Sequence, residues 1–358
     1  MESNNMAAER KENQSASELR FDIVSKDWVV IATARAKRPE TFACQERVKI
    51  ESREKDCPFC NLKTQEEPVL EYKDENGEWL VAVVPNKFPA FSPSADGLNE
   101  RTVGPYRVMD GVGFHEVVVF RDHQQSIAQM PQDQVRRIID AYQERYLELA
   151  NEKNVNYVSV FHNHGQEAGA SIVHPHSQII AIPLTDPDLQ RSISGSKAFF
   201  EEQGECVHCK MLKWDMANGE RVVFENDDFV VLVPFASRVA FELRIYPKEH
   251  HPYFERIKNR EKDNLAQALQ AALKKLFKGL NDPAYNFFIH TAPCDGQEHG
   301  HYHWHFEILP KTSTWAGFEL CTGIEISTIQ PEAAAAYLRK MDGANAICDL
   351  ELVEAVKK

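Results

Sequence analysis

The segment HPHSQIIAIP, residues 174–183, joins two histidines to a run of apolar residues. Pro175 fixes its own φ and favours an extended residue before it, and the isoleucines that follow favour a strand. Residues i and i+2 of a strand point to the same face, so His174, His176 and Gln178 are expected on one side. The segment therefore predicts a strand with three side chains that can bind metal or phosphate.

His176 is the candidate nucleophile of this strand. A nearby backbone carbonyl could accept from its Nδ1–H, which would leave the lone pair on Nε2. Gln178 can donate to a phosphate oxygen, and the small residues of NHGQEAGAS, 163–171, can let backbone N–H groups approach the same anion. Paired histidines on strands also occur as structural residues or as two metal ligands. The spacing alone does not decide between these roles.

The rest of the chain contains two units with the same order of motifs, strands and helices. The first unit contains CPFC (57–60), strands at 79–91 and up to His123, a helix at 133–150, the strand NYVSVFHNHG, and residues 174–183. The second unit contains CVHC (206–209), strands at 229–237 and up to His250, a helix at 262–280, the strand YNFFIHTAP, and HWHFEILP at 303–310. A further helix is expected at 331–341. This order predicts an α+β fold of two tandem units, each an antiparallel sheet with a packed helix.

The polar segment TDPDLQRSISGSKAFFEEQGE, 185–205, carries turn residues and is expected to connect the two units. We therefore predict a tail at 1–17 without fixed structure, an N-terminal domain at 18–195 and a C-terminal domain at 196–358.

Each unit offers two cysteines and two histidines in the same order. The first set is Cys57, Cys60, His123 and His174, and the second is Cys206, Cys209, His250 and His303. Two thiolates and two imidazoles suit tetrahedral zinc, and four protein ligands close such a site to substrate. We expect metals that hold strands and loops together. Iron remains an alternative in the second site, where His251, His299, His301 and His305 are alternative ligands; His208 is expected to be exposed.

Composition narrows the class of protein. Of 358 residues, 43% are hydrophobic, which is enough for sizeable cores. The formal net charge of −13 argues against a general nucleic-acid binder, which needs a basic face for phosphates. No apolar run reaches the length of a membrane span. The polar N-terminus lacks the apolar core of a signal peptide, so we expect a cytoplasmic protein, whose thiols stay reduced.

The pentad 174–178, preceded by Asn163, Gly169 and Ser171, resembles the active-site motif of the galactose-1-phosphate uridylyltransferase family, part of the histidine-triad superfamily. Three more segments are similar to family signatures: ELRFDIVSKDWVVIATARAKRP (18–39), CPFC, and VPNKFPAF (84–91). The resemblance covers residues 18–340. It implies two fused histidine-triad-like domains, a homodimer and a ping-pong nucleotidyl transfer.

The resemblance also implies residue roles. His176 would attack the α-phosphorus of a nucleotide sugar and release a hexose 1-phosphate, and a second hexose 1-phosphate would then collect the nucleotidyl group. Gln178 matches the residue that steadies the transferred phosphoryl group, and Asn163, Gly169 and Ser171 match the loop around the phosphates. Arg35 and Arg38 match the pair that meets the phosphate of the hexose 1-phosphate. Asn86 and Phe88 match nucleotide contacts, and Glu325 with Gln330 matches hexose contacts.

Several positions depart from enterobacterial-type members. Ser177 replaces glycine and Lys87 replaces aspartate. The lysine and tyrosine that help hold the hexose are replaced by Glu319 and Ile324. The second Cys-x-x-Cys pair is absent from those members and is similar to a two-zinc subgroup, some of whose members transfer adenylyl groups from ADP-glucose to inorganic phosphate.

The main expectation is a hexose-1-phosphate uridylyltransferase that exchanges UDP-glucose with galactose 1-phosphate. A phosphorylase using ADP-glucose and inorganic phosphate is the alternative. A histidine-triad hydrolase, in which water resolves the intermediate, and a zinc-stabilised nucleotide-binding module without catalysis also remain open.

Overall fold

A computed structural model describes residues 17–32, 42 and 53–342. The strands are β1 (Glu18–Phe21), β2 (Trp28–Ile31), β3 (Leu70–Lys73), β4 (Trp79–Pro85), β5 (Glu100–Val103), β6 (Tyr106–Met109), β7 (Phe114–Phe120), β8 (Tyr157–His164), β9 (His176–Ile182), β10 (Val222–Glu225), β11 (Phe229–Leu232), β12 (Leu243–Pro247), β13 (Tyr285–His290), β14 (His305–Pro310) and β15 (Ile326–Ser327). The helices are α1 (Gln132–Leu149), α2 (Pro187–Gln203), α3 (Val207–Asn218), α4 (Asn259–Gly279), α5 (Gly317–Thr322) and α6 (Pro331–Arg339).

The main sheet has ten antiparallel strands in the order β10-β11-β12-β14-β13-β8-β9-β7-β4-β3. Each unit contributes five neighbouring strands, so the repeat in the sequence becomes two halves of one sheet. The halves meet where β8 pairs with β13, with Phe161 opposite Phe288 and Asn163 opposite Asn286. The predicted α+β class is confirmed, and the two five-stranded sheets are joined edge to edge.

Helices α1 and α4 cover one face of this sheet. Their buried positions recur at helical period, as in Ile138, Ile139 and Tyr142 of α1. They pack with the strand residues that point to the same side, such as Ile179 of β9 and Phe287 of β13, in one continuous core. The predicted helices 133–150, 262–280 and 331–341 correspond to α1, α4 and α6. The opposite face of the sheet, here called the open face, carries His176 and Gln178 of β9 beside apolar residues such as Val117 and Val119 of β7.

The segment 185–205, predicted as a polar connection, forms helix α2 instead. Asp186 caps it by accepting from the backbone N–H of Leu189, and Pro187 occupies the first turn, where a missing N–H costs nothing. Gly195 lies inside this helix because a Cβ there would come within 1.9 Å of the Val24 carbonyl oxygen. The point between residues 195 and 196 therefore falls within a helix.

A smaller sheet joins distant parts of the chain. β1 and β2 form an antiparallel pair, and β15 adds to β2 in parallel. The Val30 N–H donates to the carbonyl of Glu325, which fixes the segment before β15 beside the N-terminal strands. None of the described helices is long and apolar enough to cross a membrane.

Candidate active site and metal clusters

His176 begins β9 on the open face of the sheet. It lies opposite Val119 of β7, and Gln178 follows on the same face, opposite Phe161 of β8. The Nδ1–H of His176 donates to the carbonyl of His174 over 2.8 Å. This hydrogen bond selects one tautomer, because a ring that donates from Nδ1 keeps its lone pair on Nε2.

The imidazole of His176 is 7% exposed and packs at 5.0 Å between ring centroids against Phe59. Burial lowers the pKa of His176 because it disfavours the charged ring, and the carbonyl of His174 opposes this only in part. The imidazole is therefore neutral near pH 7, which is the form that can attack an electrophile.

A buried hydrogen-bond chain supports β9 from the helix side. The hydroxyl of Ser177 lies 2.6 Å from that of Tyr142 and 3.0 Å from Nδ1 of His162. Burial raises the pKa of Tyr142 and lowers that of His162, so both side chains are neutral. Ser177, which replaces the glycine of enterobacterial-type members, thus has two polar partners on the helix side of the strand that carries His176.

The predicted nucleotide contacts lie at the end of β4, close to Gln178. Asn86 accepts from the backbone N–H of Phe88 over 2.9 Å, and the Phe88 ring is 84% exposed. His115 of β7 lies between this turn and Gln178, with Nε2 at 3.0 Å from Asn86 Nδ2 and 2.7 Å from Gln178 Oε1. The structure thus brings the polar side chains of Asn86, His115 and Gln178 together at one place.

The small-residue loop before β9 is held by the other half of the chain. Asn286 of β13 donates to the side-chain oxygen of Asn163 over 2.7 Å and to the carbonyl of Ala168 over 2.8 Å. Gly169 has a φ of +89°, a left-handed conformation that other residues rarely adopt. Gly169 and Ser171 are both exposed beyond this turn, so their backbone groups are open to a ligand.

Four predicted contacts remain: Arg35, Arg38, Glu325 and Gln330. Arg35 and Arg38 fall outside the described residues. Glu325 is buried and lines a cavity of about 650 Å³, together with Asn163, Arg238 and His305. Burial raises the pKa of Glu325 to about 7. Gln330 is exposed at the start of α6.

The first Cys/His set converges on one point. Sγ of Cys60 lies 3.0 Å from His123 Nδ1 and 3.4 Å from His174 Nδ1, and the two Nδ1 atoms are 3.3 Å apart. These separations are close to the roughly 3.3–3.8 Å edges of a tetrahedral zinc site with two sulfur and two nitrogen ligands. Nε2–H of His174 donates to the Phe120 carbonyl, which aims the lone pair of Nδ1 at the centre.

The second set, Cys206, Cys209, His250 and His303, converges in the same way, with ligand atoms within 4.8 Å of one another. Sγ of Cys209 lies 3.3 Å from His250 Nδ1 and 3.5 Å from His303 Nδ1. Nε2–H of His250 donates to the Gly300 carbonyl and that of His303 to the Pro247 carbonyl. Both clusters could hold a metal, and their donor sets suit zinc.

Two histidines near the second cluster, His208 and His305, lie outside its set of four ligands. His208, expected to be exposed between Cys206 and Cys209, is buried, because the second Cys-x-x-Cys pair opens helix α3 and turns this ring towards Tyr246 and His305. His305, one of the alternative ligands, lies instead in a separate group with His290 and Glu307.

Three residues near the site were not singled out from the sequence. Phe59 lies inside CPFC, a motif whose cysteines alone indicate a function. His115 alternates with Val117 and Val119 along β7, so its shared face with Gln178 could have been read from strand periodicity. Asn286 gave no local signal, because its contact with Asn163 spans 123 residues.

Comparisons with known proteins identify the family of this chain. Residues 6–184 match the family model described as galactose-1-phosphate uridyl transferase, N-terminal domain, and residues 112–344 match a domain of unknown function, DUF4921. An ADP-glucose phosphorylase of Arabidopsis thaliana is 34% identical over 92% of this chain and 94% of its own length. A galactose-1-phosphate uridylyltransferase of Thermotoga maritima is 29% identical over 91% of this chain and 98% of its own length.

Solved structures extend the likeness to the fold. The crystal structure of an Arabidopsis thaliana ADP-glucose phosphorylase with bound ADP-glucose superposes with a TM-score of 0.76 at 30% identity, covering 90% of this chain and 99% of that one. A structure described as uridylyltransferase superposes with a TM-score of 0.70 at 26% identity, covering 90% and 98%. The chain belongs to the galactose-1-phosphate uridylyltransferase family and is a nucleotidyltransferase.

Proposed function

We propose that this chain is a hexose-1-phosphate uridylyltransferase, which exchanges UDP-glucose with galactose 1-phosphate through a covalent nucleotidyl-histidine. The observation that carries the proposal is the orientation of the His176 ring, whose Nδ1–H donates to the His174 carbonyl and leaves Nε2 as the nucleophilic atom. Several relatives over most of the chain carry the uridylyltransferase name, which supports the uridylyl group as the one transferred.

The first displacement forms an N–P bond and breaks a P–O bond. Nε2 of His176 attacks the α-phosphorus of the nucleotide sugar, and glucose 1-phosphate leaves with the electron pair of the broken bond. The ring of the adduct gains positive charge, and the carbonyl that accepts from Nδ1–H stabilises it. In the second displacement, a phosphate oxygen of galactose 1-phosphate attacks the same phosphorus and the N–P electrons return to Nε2.

The other proposed contacts surround the transferred group. Phosphoryl transfer needs positioning and charge stabilisation more than further covalent chemistry. We assign Gln178, Asn163, Gly169 and Ser171 to the transferred phosphoryl group and neighbouring phosphates. We assign Arg35 and Arg38 to the hexose phosphate, Asn86 and Phe88 to the nucleotide, and Glu325 with Gln330 to the hexose.

We further propose zinc at Cys57, Cys60, His123 and His174, and zinc or iron at Cys206, Cys209, His250 and His303. When bound, either metal would cross-link strands and loops and leave no ligand position for substrate. Phe59, between the cysteines of the first cluster, packs on His176, so this metal would also hold the packing partner of the nucleophile. A homodimer, a cytoplasmic location and a division into domains at 18–195 and 196–358 remain proposals from the sequence.

The mass of the intact protein tests the function directly. The protein is mixed with UDP-glucose or, separately, with ADP-glucose, and the adduct is then treated with galactose 1-phosphate or inorganic phosphate. A uridylyl adduct that galactose 1-phosphate removes is the expected result. The absence of an adduct with either donor would overturn the proposed covalent mechanism.

One alternative has an observation in its favour. The relative that is 34% identical over 92% of this chain is named ADP-glucose phosphorylase. Under this alternative the same experiment gives an adenylyl adduct, and inorganic phosphate removes it. The nucleophile and the first displacement are the same in both functions.

A further inference from the structure

We propose that His115 is a positioning residue for Gln178: it fixes which end of the Gln178 carboxamide faces the reacting phosphoryl group. The inference rests on the proposed function, in which Gln178 holds that group. It assigns a role to a side chain that lies beside the substrate contacts and acts through one of them.

The hydrogen bonds of His115 settle its tautomer. The backbone N–H of Ala90 donates to Nδ1 over 3.1 Å, so Nδ1 carries the lone pair. A neutral imidazole with an acceptor at Nδ1 has its proton on Nε2. Nε2 lies 2.7 Å from Gln178 Oε1, and the bond therefore runs from Nε2–H of His115 to the Gln178 oxygen.

This direction determines what Gln178 can offer a ligand. The carboxamide has one accepting end and one donating end. Because the oxygen is held by His115, the amino group is the end available to an anionic phosphoryl oxygen. A carboxamide turned by 180° would bring its oxygen towards that anion and lose a charge-assisted hydrogen bond. His115 therefore favours the one orientation of Gln178 that suits phosphoryl transfer.

The same ring connects Gln178 to the nucleotide turn. His115 lies on β7, Gln178 lies on β9, and Ala90 follows the end of β4. Asn86 Nδ2 comes within 3.0 Å of the same Nε2 atom, and because both nitrogens carry hydrogen in this tautomer the pair is a polar contact and not a hydrogen bond. One imidazole thus joins the segment proposed to hold the nucleoside to the residue proposed to hold its phosphate.

Three substitutions separate the two hydrogen bonds of the ring. His115→Gln can place an amide N–H near the position of Nε2 and keep the donation to Gln178. His115→Asn can place an oxygen near the position of Nδ1 and keep the acceptor for Ala90, but it does not reach Gln178. His115→Phe removes both. His115 is half-buried at the edge of the open face, so these changes leave the helix-covered core intact.

The test measures single-turnover formation of the nucleotidyl adduct, using whichever of UDP-glucose and ADP-glucose labels the wild-type protein. We expect His115→Phe and His115→Asn to slow adduct formation at least tenfold, and His115→Gln to recover most of that loss. In a double-mutant cycle, His115→Phe should cost little in a protein that already carries Gln178→Ala, since the group it orients is gone.

Two results would overturn the proposal. One is an equal loss in His115→Gln and His115→Asn; the other is a cost of His115→Phe that is the same with and without Gln178→Ala. Both results require that the wild-type protein forms the adduct. Failure of the proposed function is seen separately, as a wild-type protein that neither donor labels.

Discussion

Two histidines occupy equivalent places in the two halves, and their surroundings explain why only one is a credible nucleophile. His176 and His305 each follow a metal-cluster histidine by two residues, and each Nδ1–H donates to that residue's carbonyl, over 2.8 and 3.1 Å. His305 is only 3% exposed and is stacked against Tyr246. At the place of Gln178 the second half has Glu307, whose carboxylate is paired with Arg238 and Arg244 and has no N–H to donate to a phosphoryl oxygen.

This asymmetry gives a prediction at the residue scale. His176→Asn should lower adduct formation by at least about 10³-fold, because the attacking Nε2 atom is lost. His305→Asn is the matched control and should retain adduct formation. The measurement is intact-protein mass after mixing with the nucleotide sugar. A His176→Asn protein that still turns over substrate would contradict the assignment of the nucleophile.

A second residue-scale prediction concerns His290, whose pKa burial lowers to about 3. The unfolded chain takes up this proton near pH 6.5 while the folded protein does not, so the free energy of unfolding falls as pH decreases below 6.5. Between pH 7 and pH 5 the loss is about 2 kcal/mol. His290→Gln should remove that part of the pH dependence.

Urea unfolding at pH 7 and pH 5 measures the effect. From pH 7 to pH 5, the unfolding free energy of the wild type should fall by more than that of His290→Gln. A difference that is the same at both pH values would show that His290 does not titrate in this way.

At the scale of elements, the two metal clusters have the same types of ligand, but their cysteines lie in different secondary structure. Cys57 and Cys60 lie in a loop after a short 3-10 turn, whereas Cys206 occupies the N-cap position of helix α3 and Cys209 lies in its first turn. The loop pair has Phe59 between its cysteines, in contact with the His176 ring. The helix pair has His208, which faces the His305 side of the sheet. Only the first cluster therefore touches the nucleophile.

We expect Cys57→Ser and Cys206→Ser each to reduce the bound metal from two equivalents per chain to one. Cys57→Ser should also slow adduct formation, because Phe59 loses its support, and Cys206→Ser should affect it less. Cys294→Ser, outside both clusters, is the control. The readouts are metal content and adduct rate. Equal metal content in Cys57→Ser and the control would contradict the first cluster as a metal site.

The elements also show what the sequence could and could not predict. α1 and α4 were predictable because their buried residues recur at helical period. α2 was missed because its polar composition resembles a loop, although Asp186 and Pro187 are a helix start signal. The two Cys/His sets were found because each repeats a spacing. The pairing of β8 with β13 could not be predicted, because no local sequence pattern links Asn163 to Asn286.

At the scale of the molecule, the halves depend on one another. The ten-stranded sheet is continuous through β8 and β13, and α1 packs along α4 over the same face. Buried polar contacts cross this packing: the Lys262 ammonium pairs with Asp140 over 2.8 Å, and Gln143 donates to the carbonyls of Glu255 and Ile257. A buried charge that loses its partner is costly, so these contacts disfavour separation of the halves.

The last prediction tests whether the second half helps to build the site of the first. Asn286 donates to Asn163 and Ala168, and it holds the loop that precedes β9. Asn286→Ala leaves these acceptors without their donor, and we expect a loss of about 1–3 kcal/mol in unfolding free energy. Because Asn163 then loses its fixed orientation, adduct formation should slow about tenfold, although the substituted residue is in the half that lacks the nucleophile.

Asn226→Ala is the matched control, since Asn226 is half-buried in the same half of the chain and its side chain donates to the Asn264 carbonyl over 2.8 Å and to Gln267 Oε1 over 2.9 Å. It should lower stability without slowing adduct formation, measured by single-turnover mass kinetics and urea unfolding. If the two variants slowed the reaction equally, the effect of Asn286 would be one of general stability. If only Asn286→Ala slowed it, the second half would contribute to the reaction through β13, which explains why a repeat with one nucleophile keeps both of its copies.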